Sequence, residues 1–107
     1  MKYLVIVTPE AETNIGAAYE YIAERSPANA ATWLRDLYEQ ISRLEKFPRR
    51  FSRAREQDHV AEEIRQVIFK SHRIIFTIDD KSATVQVVYV RHGKMRAVGE
   101  TEAESPQ

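Results

Sequence analysis

Cysteine is absent from the 107 residues, which excludes disulfides, thiolate nucleophiles and cysteine-based metal sites. That absence suits a reducing compartment, and a cytoplasmic location is expected from it. Glycine occurs only three times, too sparsely for a glycine-rich phosphate loop. Long hydrophobic runs are missing as well. The opening MKYLVIVTPE is too short for a signal sequence and carries no small-residue cleavage site, so it is expected to be a first strand. Nothing approaches the roughly 18 apolar residues of a membrane span, and no membrane partner is expected.

Net charge is also lacking, but the balance hides a segregation. Glu100, Glu102 and Glu104 crowd the C-terminal segment, and without them bases exceed acids by three. Between Pro9 and Glu24 there are four acids and no base, whereas Arg43 to Arg55 holds six bases against Glu45 alone. Such polarity favours an anionic partner on one side of the molecule. At this length the chain is expected to form one domain over residues 1–96, with residues 97–107 a disordered tail.

The residues present spell out a sequence of elements. KYLVIV, at 2–7, is a β-rich run that stops at Thr8-Pro9, an N-cap followed by a proline suited to the first helical position. Ala11, Ile15, Ala18 and Ile22 then recur on one helical face. Ser26-Pro27 repeats the start signal, and Ala30, Trp33, Leu34, Leu37, Ile41 and Leu44 form the stripe of a second helix that should end at Phe47-Pro48. A connection as short as Arg25-Ser26 makes an antiparallel helical hairpin.

Residues 49–63 are charged and aperiodic and predict a loop, with a helical turn around Ala61. Three strand-like runs follow at Ile64–Lys70, Arg73–Asp79 and Thr84–Arg91, with connections short enough for an antiparallel meander. The expected class is α+β, in the order β-α-α-β-β-β. The helical hairpin should pack on one face of a small, mainly antiparallel sheet, because neither layer can bury its apolar side alone. Alternation places Ile74, Phe76 and Ile78 on the helix side, with Val85, Val87 and Tyr89. It sends Arg73 and His92 together to the open face.

These residues, read in order, resemble a known superfamily. TPEAETNIGAAYEYIAERSP, Trp33-Leu34, the run from Ile41 to Arg50 that ends LEKFPRR, HRIIF at 72–76 and VVYVRHG at 87–93 are similar to the RelE/ParE superfamily of type II toxins. The resemblance implies a compact toxin neutralised by a cognate antitoxin encoded beside it, in a toxin–antitoxin hetero-oligomer. It implies one of two targets: DNA gyrase, as for ParE-like toxins, or the ribosome and its mRNA, as for RelE-like endoribonucleases that act without a metal. Fold alone does not choose between them. No cofactor and no metal is expected.

For RNA cleavage the resemblance points to Arg73, Arg91 and His92 as catalytic. Arginine suits phosphate charge stabilisation and histidine suits proton transfer. Arg49, Arg50, Arg53, Arg55, Lys94 and Arg96 are the candidates for holding nucleic acid or the target. FPRR, the VRHG ending and the long helical hairpin fit the gyrase reading somewhat better, and departures from the RelE pattern leave the ribonuclease site incomplete. No tyrosine follows Tyr89, and the lysine-rich loop of RelE-like enzymes is represented by arginines, which cannot act as general bases at neutral pH. His72 also precedes Arg73 where a tyrosine or glycine is frequent in such enzymes.

Overall fold

The computed structural model describes residues 2–94, so the expected tail at 97–107 and the candidate Arg96 lie outside the described residues. Strand β1 (Leu4–Val7) leads into helix α1 (Pro9–Ala23) and helix α2 (Pro27–Ser42). Short 3-10 turns at Arg43–Glu45, Pro48–Arg50 and Arg55–His59 precede strands β2 (Ile64–Phe69), β3 (His72–Asp79) and β4 (Thr84–His92). The expected element order holds.

Both helices start as their sequences dictate. Thr8 Oγ1 accepts from the Ala11 amide at 3.2 Å, and Ser26 Oγ from the Asn29 amide at 3.2 Å, each with proline in the first turn. The Thr8 hydroxyl also donates to the Val87 carbonyl at 3.0 Å, so one side chain caps the helix and ties it to the sheet. Helix α2 stops at Ser42, earlier than the proline signal suggested, and a 3-10 turn carries Leu44 into the core. The helical turn expected at Ala61 lies instead at Arg55–His59.

The sheet order is β1-β4-β3-β2, with β1 parallel to β4 and the other pairs antiparallel. Ala11, Ile15, Trp33, Leu37, Ile41 and Leu44 of the helical layer bury against Val67, Phe69, Ile74, Phe76, Val85, Val87 and Val90 of the sheet. The second face is not fully open. Ala54 and Val60 of the loop pack there on Ile64, Ile75, Val88 and Tyr89. The same loop runs beside β2, with the Ala54 amide donating to Ile64 at 2.9 Å and the Gln66 amide to Ser52 at 3.0 Å.

One irregularity re-sorts the last strand. Ile75 pairs with Tyr89 but Phe76 pairs with Val87, so Val88 is an extra residue in β4. A bulge of one residue reverses which face each later side chain takes. Tyr89, expected in the helix-side set, therefore packs on the opposite face, and Val90 takes its place in the core. His92, expected beside Arg73, is turned to the helix side, whereas Arg91 lies opposite Arg73 in the β3–β4 register.

Removing the Thr8 hydroxyl tests the tie between layers. Thr8→Ala is expected to cost about 1–2 kcal/mol in urea denaturation, at the upper end for a helix cap, because the sheet contact goes with it.

Candidate functional site

The structure divides the candidate residues into three groups. The first is buried. Arg73 is 2% exposed and Glu56 is fully buried. Arg73 Nη1 donates to Glu56 Oε1 at 3.0 Å, and Nη2 to Oε2 at 2.8 Å, a two-pronged pairing of guanidinium with carboxylate. Nη1 donates as well to Gln66 Oε1 at 2.8 Å. The pair pins the Arg55–His59 turn to the sheet, and it exists because a charge at such depth needs a hydrogen-bonded partner. Arg73 stands directly before the apolar run Ile74, Ile75 and Phe76 in β3, and that setting was the available signal that some carboxylate must meet it. Nothing in the loop's aperiodic charge singled out Glu56.

The second group is structural at the surface. Arg49 holds both Glu63, at 2.8–3.1 Å, and Asp80, at 3.0 Å, clamping the turn after Pro48 to the β3–β4 connection. Hydrogen bonding to Arg49 draws the Glu63 and Asp80 carboxyls below their ordinary range, with Arg65 assisting at Glu63 and the Tyr3 hydroxyl at Asp80. Arg50 turns inward along the backbone, donating to the carbonyls of Lys46, Phe47 and Arg43, and lies 4.4 Å from the Phe51 ring.

The third group forms a cationic rim at the C-terminal end of β4. Arg55 Nη2 donates to the Gly93 carbonyl at 3.3 Å, which brings the loop and the strand end together. Arg55 and Lys94 are exposed, and Arg91 is half-buried beside them in sequence. Arg53, also exposed, donates to Gln57 Oε1 at 3.1 Å in the same turn region. The Gly93 amide donates to the Ser71 carbonyl oxygen at 2.7 Å, which fixes the strand end against the β2–β3 turn.

Around the edge of this rim, on the helix side, lies a groove of about 570 Å³ lined by Ala18, Tyr21, Ile22, Trp33, His72 and His92 among others. Cross-strand neighbours His72 and His92 meet edge to face at 5.3 Å, and His72 meets Trp33 at 5.4 Å. Burial against these rings lowers the His72 pKa, with His92 adding a smaller push in the same direction. The bulge at Val88 brings His92 to this side, against the regular alternation read from β4. Among the described residues no group of three or more His, Asp or Glu is placed to hold a metal ion, and no helix is long and apolar enough to cross a membrane.

Chemically, the third group suits contact with an anionic surface. The proton-transfer candidate His92 and the phosphate candidate Arg73 stand on opposite faces of the sheet, so these two do not share a site.

Comparison with known proteins adds identity to geometry. Residues 5–97 match the family described as ParE toxin of the type II toxin–antitoxin system parDE. Among solved structures, the chain superposes on the chromosomal ParDE toxin–antitoxin system from P. aeruginosa with a TM-score of 0.68 at 18% identity, covering 85% of this chain and 96% of that one. It is similar to the RelBE2 toxin–antitoxin complex from Mycobacterium tuberculosis, with a TM-score of 0.57, 20% identity, and coverage of 86% and 92%. A free-state RelE from E. coli with two arginines replaced by alanine gives a TM-score of 0.53 at 12% identity, covering 88% of this chain and 86% of that one. No curated protein sequence matches at a significant level.

Two stability measurements follow from the buried groups. Arg73→Ala and Glu56→Ala are each expected to destabilise by about 3–5 kcal/mol, since each strands a buried charge. The double variant should lose far less than the sum in a denaturation cycle. Separately, protonated His72 is disfavoured in the folded protein, so the unfolded chain binds more protons below the ordinary value of 6.5. Stability is thus complete above that pH and is expected to fall on acidification toward about pH 5, before the carboxylates titrate. Urea denaturation at fixed ionic strength should show this slope, and His72→Phe should flatten it.

Proposed function

This chain belongs to the ParE toxin family of type II toxin–antitoxin systems, and we propose that it inhibits DNA gyrase by surface contact and is restrained by a cognate antitoxin. The observation that carries this choice is the burial of Arg73. Metal-free RNA cleavage needs an arginine free to meet the scissile phosphate, with a proton-transfer group alongside. Arg73 is 2% exposed and engaged on both prongs by Glu56, while His92 stands across the sheet. Inhibition by contact needs no such convergence. It needs an accessible surface of suitable charge, and the rim of Arg55, Lys94 and Arg53 supplies one for gyrase or its bound DNA.

On this reading the toxin works where gyrase works, in the cytoplasm, and the antitoxin keeps it from its target by occupying toxin surface. Arg73 then acts as a structural residue that fixes the loop carrying Arg53 and Arg55. The ribosome-dependent endoribonuclease remains the competing outcome of the same experiment, as does an inactive binding module of the same fold.

Expression without antitoxin should arrest growth with DNA breaks and an SOS response, and purified toxin should block supercoiling by gyrase. Codon-positioned mRNA cuts without gyrase inhibition would replace this reading with the ribonuclease. Unaffected growth together with untouched gyrase at large molar excess would leave only the binding module. Arg55→Glu with Lys94→Glu is expected to raise the half-inhibitory concentration about tenfold in the supercoiling assay.

A further inference from the structure

The loop that closes the second face of the sheet stops short of the end of β2. Its backbone meets that strand at Ile64, which accepts from the Ala54 amide at 2.9 Å, and at Gln66, whose amide donates to Ser52 at 3.0 Å. Alternation along an edge strand assigns the next outward amide and carbonyl to Ile68. Among the described residues no backbone group outside the sheet meets them. The Ile68 side chain is uncovered as well, at 61% exposed, although Ile64 and Ile75 on the same face are buried with the loop.

The strand register ties Ile68 to the cationic rim. Ile68 pairs with Arg73 in β3, and Arg73 pairs with Arg91 in β4. The three side chains therefore leave one face of the sheet in a row, with Ile68 about 10 Å from Arg91, two strand spacings away. The middle of the row is fixed, because Glu56 and Gln66 hold Arg73. Its β4 end borders the rim, where Arg55 reaches the Gly93 carbonyl and Lys94 is exposed. A single exposed isoleucine needs no explanation by itself. This one stands where the loop's cover ends, with its backbone groups also turned outward, on the row that leads to the surface assigned above to the target.

We infer that Ile68 and the rim form one contact surface, and that it meets an acidic surface of the gyrase protein rather than the bound DNA, with Ile68 as its apolar anchor. This rests on the function proposed above and narrows the partner of the same site. Phosphates would satisfy Arg55 and Lys94, but a nucleic-acid backbone offers no apolar pocket for Ile68. A protein surface supplies both, with carboxylates set around an apolar centre, and in such an arrangement a few buried side chains carry most of the affinity. A second copy of the chain fits poorly, because a two-fold axis through this surface would set cations against cations.

The decisive variant is Ile68→Thr, which keeps the branched β-carbon that suits a strand and removes the apolar end. It should stay folded by circular dichroism, as surface substitutions ordinarily do, while its half-inhibitory concentration in the supercoiling assay rises about tenfold. Wild-type toxin should bind purified gyrase in the absence of DNA, more weakly as salt is added, and the variant about tenfold more weakly at any one salt concentration. Inhibition by Ile68→Thr at the wild-type level overturns the inference while leaving gyrase as the target. Binding to gyrase only when DNA is present, competed away by linear duplex DNA alone, assigns the rim to nucleic acid and overturns it as well. If Ile68→Thr does not fold, Ile68→Ala replaces it, and unfolding of both would make the side chain structural and end the proposal. A wild-type toxin that leaves gyrase untouched at large molar excess removes the underlying reading, and this inference with it.

Discussion

The pairing of Arg73 with Glu56 is the interaction on which the loop-covered face of the sheet depends. A four-stranded sheet backed by two helices buries one side well and leaves the other to be closed by something else. Here the closing piece is an irregular loop whose own apolar contribution is small, chiefly Ala54 and Val60. Such a loop cannot be held by hydrophobic burial alone, and a hydrogen-bonded ion pair inside it supplies direction as well as attraction. Once Glu56 is fixed, its neighbour Arg55 is carried to the end of β4, where it reaches the Gly93 carbonyl. The cationic rim is therefore a consequence of a buried pair one residue away. A buried ion pair is weak evidence for stability in general, but breaking one half of it is costly, which makes the loop's position all-or-none.

A second constraint, the extra residue at Val88, decides which chemistry shares a face. Without it, regular alternation would carry His92 round to Arg73 and leave Tyr89 under the helices. With it, Tyr89 helps to seat the loop, and His92 joins His72 and Trp33 on the helix side. One inserted residue thus separates groups that a ribonuclease would need together. It also collects aromatic rings into a groove wall that suits packing more than proton transfer.

Much of the fold was legible in the sequence because its signals are local. Thr8-Pro9 and Ser26-Pro27 name the helix starts within two residues each, and the helical stripes and meander spacing follow from periodicity. The site was less legible because its determinants are not local. Glu56 meets Arg73 across 17 residues of chain, with no pattern to mark which of several loop acids would do so. Period-two reading of β4 failed at a single position, and every later side chain was misplaced by it. The cluster at Arg49–Arg55 read as one basic patch. In the structure Arg49 is a clamp, Arg50 braces the backbone, and only Arg53 and Arg55 extend the rim.

The same division of labour explains why charge count alone is a poor guide to this surface. An arginine carries five donors in a fixed fork, so a chain can spend it on carbonyls and carboxylates wherever irregular backbone needs support. Arg49, Arg50, Arg65 and Arg73 are all spent in this way, each fixing irregular backbone between Arg43 and Glu63. The exposed cations Arg53, Arg55 and Lys94 stand near the close of β4, and Lys2, Arg43 and Lys46 near the start of β1.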